Sequence, residues 1–126
     1  MILLGRITDA TALPDEPVIS AITLAELSIG PLITDDPDER AARQAHLQLA
    51  ESDFDPLAFD ADAARVFGRI AADLRRAGHR TSARAYDVLI AATAISENLP
   101  LFTCNPRDFE RISDLDLRAV PHPDHS

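Results

Sequence analysis

The order of apolar and polar positions along the chain predicts strands that alternate with helices. Short apolar runs at 18–20, 99–103 and 117–120 are typical of buried strands, and the run at 99–103 suits a central parallel strand. Apolar residues at 63–74 recur at the i, i+3 and i+4 spacing of an amphipathic helix, with Asp60 as its cap. This alternation predicts the α/β class with a mainly parallel sheet.

Prolines and turn residues set the remaining boundaries. Pro56 places a candidate strand at a sheet edge or a bulge, because proline has no amide hydrogen to donate to a neighbouring strand. A polar helix is predicted over 37–52, since proline suits the first position of a helix, and a helical turn is predicted over 106–112. The length fits a single domain over 1–126, with a disordered tail at 121–126.

Two apolar helical segments each contain one carboxylate, Glu26 in AITLAELSI and Asp87 in YDVLIAATA. A helix cap would explain Asp87 alone, and an exposed polar stripe would explain Glu26. A third polar cluster contains Asn105 and Asp108, and turn chemistry explains it as well as a ligand role does. In parallel sheets, ligands bind at the carboxyl ends of the strands. Carboxylates that converge there without basic partners indicate a site for a hard cation.

Composition limits the classes of partner. The net charge of −9 argues against a nucleic-acid binder, which normally has a basic face. A basic cluster near the end of the long helix includes Arg80 and Arg84, and a solvated helix end explains it as well as a contact with RNA phosphates does. The single Cys104 excludes an internal disulfide, and no apolar run approaches the ~20 residues that span a bilayer. A cytoplasmic protein without membrane association is therefore expected.

Two motifs, ISAITLAELSIGP and ARAYDVLIAATAISENLPLFTCNPRDF, resemble the PIN domain of VapC-type toxins. The resemblance runs from Pro17 to Pro121, and its motifs are specific in combination rather than singly. It implies a three-layer α/β sandwich and an endoribonuclease that depends on Mg²⁺ or Mn²⁺. It also implies the toxin of a type II toxin–antitoxin pair, with RNA as substrate and with a VapB-like antitoxin and a second copy of the chain as partners.

The resemblance also assigns roles to individual residues. Glu26 and Asp87 match two acidic positions of the family, and both are expected to be catalytic and to bind the metal. Asp108 is expected to supply a further catalytic carboxylate and metal ligand, and Asn105 stands at a neighbouring ligand position. Thr103 matches a small hydroxyl residue that supports the site.

One departure from the family pattern concerns the beginning of the chain. The family opens with a central strand that ends in a metal-binding Asp, whereas Met1 to Gly5 resembles the helix that normally follows it. The first strand is therefore expected to be missing, through a misassigned start or a true truncation, and neither Asp9 nor Asp15 is expected to replace the ligand. The alternative function is a non-catalytic PIN-like module that binds the antitoxin or another PIN domain.

Overall fold

The computed structural model describes residues 2–4, 17–80 and 85–120. Within these residues the chain forms five strands, four α-helices and two short 3-10 turns. The strands are β1 (Ile2–Leu4), β2 (Pro17–Ser20), β3 (Pro56–Leu57), β4 (Leu101–Thr103) and β5 (Leu117–Ala119). The helices are α1 (Ala21–Ile29), α2 (Pro37–Asp53), α3 (Ala61–Arg76) and α4 (Ala85–Ser96), and the 3-10 turns are Gly30–Leu32 and Pro106–Asp108.

All five strands are parallel, in the order β3-β2-β1-β4-β5. The central strand is β1, in which Leu3 lies opposite Val18 of β2 and Leu101 of β4. The expectation that the fold lacks its first strand is therefore wrong, because Ile2–Leu4 fills the central position. The apolar run Ile-Leu-Leu suits a strand that is covered on both faces, but it is too short to be distinguished from the end of a helix by its pattern.

Helices cover both faces of the sheet. Along β4, Leu101 packs into the larger hydrophobic cluster, which contains residues of α3 and α4, whereas Phe102 packs against the smaller cluster. Along β2, Val18 and Ile19 divide between the two clusters in the same way, and Ala50 of α2 belongs to the smaller one. This alternation follows from the two-residue period of a strand. The predicted three-layer α/β sandwich is confirmed.

Several predicted boundaries are also confirmed. Asp60 Oδ1 accepts a hydrogen bond from the amide of Ala63 at 2.9 Å and so caps α3. Pro56 lies in the edge strand β3. The helical turn predicted over 106–112 is shorter in the structure and ends at Asp108, and the predicted tail at 121–126 lies outside the described residues. Within the described residues, no helix is long and apolar enough to cross a membrane.

The connection between α1 and α2 is held by two arginines of α2. Arg43 Nη1 donates to the carbonyl oxygen of Gly30 at 2.9 Å, and Arg40 Nη2 donates to that of Thr34 at 2.8 Å. Between these anchors lie Leu32 and Ile33, which are 83% and 71% exposed. We refer to these two residues as the apolar corner. Its backbone is fixed, although its side chains contribute little to the core.

Candidate active site

Helix α1 begins at the carboxyl end of β2 with a buried cap. The hydroxyl oxygen of Ser20 accepts a hydrogen bond from the amide of Thr23 at 3.0 Å, and it lies 3.0 Å from the Thr23 hydroxyl. Both side chains are buried. Glu26 follows Thr23 by three residues and therefore shares its face of the helix. One carboxylate oxygen of Glu26 is inaccessible to solvent, although the residue as a whole is only half-buried.

Helix α4 carries Asp87 in its first turn and is buried along most of its length. The Asp87 side chain is only 5% exposed, and its Oδ1 is inaccessible to solvent. The corresponding residue of α3, Asp62, lies in that helix's first turn but is exposed and pairs with Arg65 at 2.8 Å. Burial of a carboxylate is costly unless a cation or hydrogen bonds offset it. Asp87 therefore differs from an ordinary surface carboxylate in a first helical turn.

The geometry at the end of α4 determines where its first turn lies. Asn98 adopts a left-handed conformation with φ of 55°, and the amide of Leu99 donates to the carbonyl oxygen of Ala94 at 2.9 Å. This tight ending leads directly into the amino end of β4 at Leu101. Because α4 packs against the sheet and then feeds β4, its first turn lies towards the opposite edge, where the strands end. Asp87 is therefore placed at the carboxyl edge of the sheet.

The third predicted segment follows β4. Thr103 is buried, and its hydroxyl oxygen accepts a hydrogen bond from the amide of Asn105 at 3.1 Å. The amide of Asp108 donates to the carbonyl oxygen of Asn105 at 3.2 Å and closes the 3-10 turn. The Asn105 side-chain amide lies 3.6 Å from the sulfur of Cys104. Thr103 thus supports the turn that carries Asn105 and Asp108, and both of these side chains are half-buried.

The fold brings some of these groups to the same region of the sheet. Helices α1 and α4 are in contact, so the elements that carry Glu26 and Asp87 are neighbours. Among the residues that the structure describes, however, no three His, Cys, Asp or Glu side chains are grouped so that they could hold a metal ion. Glu26, Asp87 and Asp108 therefore do not form such a group together. Their individual catalytic and ligand roles, and those of Asn105, remain predictions.

Two further predictions concern residues next to or outside the described segments. Gly5 follows β1 directly, where the resemblance implies an Asp, and both Asp9 and Asp15 lie outside the described residues. Arg80 is exposed after the end of α3, whereas Arg84 lies outside the described residues. Contacts of these two arginines with RNA remain a prediction.

Tyr86 is not among the site residues predicted from the sequence. Its side chain is 47% exposed although it lies between residues of a buried helix. The available signal was an aromatic residue directly before Asp87 in a chain with a single tyrosine.

Comparison with known proteins connects this arrangement to one family. A family model described as "PIN domain" matches residues 2–115. "Ribonuclease VapC" from Rickettsia bellii is 36% identical over 118 residues, which cover 93% of this chain and 87% of that protein. "Ribonuclease VapC5" from Mycobacterium tuberculosis is 39% identical over 99 residues, which cover 79% of this chain and 71% of the relative.

Solved structures show the same similarity. A crystal structure of VapBC-5 from Mycobacterium tuberculosis, described as a member of the VapBC family of toxin-antitoxin systems, matches with a TM-score of 0.80 and 32% identity. The match covers 96% of this chain and 98% of the other.

Proposed function

Because the chain belongs to the PIN-domain family and to its VapC ribonucleases, we propose that it is an endoribonuclease that acts as the toxin of a toxin–antitoxin pair. The observation that carries this proposal is the pair of acidic residues, Glu26 and Asp87, on the contacting helices α1 and α4. Each has a carboxylate oxygen withdrawn from solvent. Acids in such a position suit the hydrolysis of a phosphodiester better than the simple solvation of a protein surface.

The donor atoms of this region fit Mg²⁺ or Mn²⁺. Glu26, Asp87 and Asp108 offer carboxylate oxygens and Asn105 offers an amide oxygen, which are the ligands that hard cations prefer. Mg²⁺ commonly uses only one or two protein carboxylates and keeps several waters, so a group of three acids is not required. A divalent cation would supply a nucleophilic water near neutral pH and neutralise charge on the phosphate.

The chain's own residues have separate tasks in this proposal. Asp87, the more buried acid, would hold the cation directly, and Glu26 would bind through water or accept a proton from the attacking water. Thr103 would keep Asn105 and Asp108 in place through its hydrogen bond to the Asn105 amide. The turn would thereby position a second set of oxygen ligands beside β4.

A VapB-like antitoxin is the proposed protein partner. The apolar corner of Leu32 and Ile33 lies beside an exposed acidic segment that contains Asp35, Asp36 and Asp38. Exposed apolar residues next to concentrated negative charge suit a partner segment with apolar side chains flanked by basic ones. A homodimer and a cytoplasmic location remain predictions.

The test is a cleavage assay on RNA with Mg²⁺ or Mn²⁺ and matched variants. Asp87→Asn and Glu26→Gln should each slow cleavage by on the order of 10²-fold or more. Asp62→Asn is the matched control, because Asp62 also lies in a first helical turn but is exposed, and its rate should stay within about twofold of the wild type. Calorimetry should show Mn²⁺ binding that Asp87→Ala abolishes. Cleavage by Asp87→Asn at the wild-type rate and with the same metal dependence would refute the role of Asp87.

A second candidate function is a non-catalytic module that binds the antitoxin. The observation that favours it is Gly5, which directly follows the central strand β1 where the resemblance implies an acid. Metal-dependent cleavage by the purified 126-residue chain, lost in Asp87→Asn, would exclude this alternative. Tight binding of the antitoxin by a chain that does not cleave RNA would support it.

A further inference from the structure

The side chain of Tyr86 is 47% exposed to solvent, although most of the other residues of helix α4 are buried. The residues that follow it, Asp87 and Val88, are buried, and Ile90, one helical turn further on, is completely buried. Within the described residues, few large apolar side chains are as exposed, and the others lie in or near α1 and α2. Exposure of an aromatic ring costs hydrophobic free energy that the core could have gained. A ring kept in solvent beside a candidate catalytic acid suggests a ligand.

The helix geometry places this ring at the edge of the candidate active site. Bonds from Cα to Cβ tilt towards the amino end of a helix, so a side chain in the first turn leans past the helix start. The first turn of α4 lies at the carboxyl edge of the sheet, where Thr103 ends β4 and Asn105 comes two residues later. Tyr86 is therefore a solvent-exposed ring in the same helical turn as the buried Asp87, at the edge of the sheet where the candidate site lies.

The charge of the chain favours a contact that does not depend on attraction to phosphates. A chain with a net charge of −9 repels RNA at long range and gains little from release of counterions. Several of its arginines are already paired with acids, as in the Arg76 pair with Asp73 at 3.2 Å and the Arg118 pair with Asp116 at 3.0 Å. Short-range contacts with the bases would add affinity that long-range charge attraction does not supply. An aromatic face stacks on any base, whatever its sequence.

We propose that the ring of Tyr86 stacks on an unpaired base of the RNA substrate, next to the phosphodiester that Asp87 and Glu26 address. The substrate is then single-stranded at this point, because a paired and stacked base has no free face. This inference rests on the proposed ribonuclease function. It assigns Tyr86 to substrate binding and not to the chemical step.

The composition of the chain provides a direct probe. Tyr86 is the single tyrosine and the chain has no tryptophan, so intrinsic tyrosine fluorescence reports on this ring alone. A single-stranded RNA oligonucleotide, added in the presence of a chelator so that it is not cleaved, should quench this fluorescence with saturation. An abasic ribose-phosphate oligomer of the same length should not quench it. Free tyrosine in the same solutions corrects for absorption by the RNA.

Kinetic variants separate stacking from a structural role. Tyr86→Ala and Tyr86→Leu should raise KM for single-stranded RNA by about tenfold, while kcat changes by less than about twofold. Tyr86→Phe, which keeps the ring, should behave as the wild type. The exposed position should leave the unfolding midpoint of all three variants close to that of the wild type.

Three results would overturn the inference. Equal quenching by the abasic oligomer would show that the ring responds to phosphates, and an unchanged KM in Tyr86→Ala would show that it does not bind RNA. Quenching by the antitoxin but not by RNA would assign the ring to the protein partner instead. Failure of the ribonuclease proposal is a separate result, since it appears as absent cleavage by the wild type, whereas stacking is measured without cleavage.

Discussion

The buried cap of α1 allows a sharp test of how the fold holds Glu26. In Ser20→Ala the amide of Thr23 loses its 3.0 Å acceptor, and the Thr23 hydroxyl loses its neighbour at 3.0 Å. No water can replace the lost oxygen easily, because both side chains are buried. The substitution should therefore remove more than an ordinary surface cap.

The expected magnitude follows from two contributions. Loss of a serine cap costs about 1 kcal/mol. The Thr23 hydroxyl left buried without its partner adds about 1–3 kcal/mol. Ser20→Ala should therefore lower the free energy of unfolding by about 2–4 kcal/mol. The matched control is Asp36→Ala, because Asp36 caps α2 at 3.0 Å but is exposed, and this variant should lose only about 1 kcal/mol.

The assay is equilibrium unfolding in urea, followed by circular dichroism, for both single variants and for a double variant. Ser20→Ala with Thr23→Val removes both hydroxyls, so its cost should be smaller than the sum of the two single costs by about 1 kcal/mol. The additivity test also needs the single variant Thr23→Val. The buried cap is refuted if Ser20→Ala lowers the free energy of unfolding no more than Asp36→Ala does, and if the losses of Ser20→Ala and Thr23→Val simply add in the double variant. The variants of Ser20 and Thr23 should also lose cleavage activity, because the cap fixes the helix that carries Glu26, whereas Asp36→Ala should retain it.

Two further predictions concern the core and the proposed partner surface. Leu101→Ala, at a completely buried position of β4, should lower the free energy of unfolding by about 2–5 kcal/mol. Leu49→Ala, at a position that is 60% exposed, should change it by less than about 0.5 kcal/mol. Equal losses for the two variants in urea unfolding would contradict the burial of Leu101. Leu32→Ser combined with Ile33→Ser should leave the free energy of unfolding almost unchanged, because both side chains are exposed. The double variant should bind the cognate antitoxin about tenfold or more weakly in calorimetry, with Leu49→Ser as the control. An unchanged affinity would show that the antitoxin binds elsewhere.

The sequence predicted those elements whose signal lies within a few residues. The spacing of apolar residues and the capping residue Asp60 predict helix α3. The apolar run that ends at Thr103 predicts β4 as an interior strand of the sheet. The central strand β1 was missed because its identity depends on pairing with β2 and β4, which no local pattern encodes. The helix and strand propensities of single residues and the periodicity of a short segment contain no information about strands that pair from distant parts of the sequence.

For the candidate site too, the sequence predicted the local features but not those that depend on the three-dimensional arrangement. The apolar neighbours of Asp87 indicated a buried helix and those of Glu26 an apolar helix, and the structure withdraws a carboxylate oxygen of each residue from solvent. The position of Asp108 depends on a turn whose hydrogen bonds to Asn105 and Thr103 set its direction, so sequence alone could not tell whether three acids would meet. The exposure of Tyr86 likewise follows from where α4 begins relative to the sheet edge.

The central position of β1 has a consequence for how the chain is made. Leu3 pairs with Leu101, so β1 must wait until β4 has left the ribosome before the sheet can close. At synthesis rates of about 5–20 residues per second, this delay is on the order of 5–20 s, during which β2 and β3 can form but β1 has a neighbour on one side only. Pairing between strands that are so far apart in the sequence also makes folding slow. The nascent chain therefore cannot close its sheet around β1 until β4 has been synthesised.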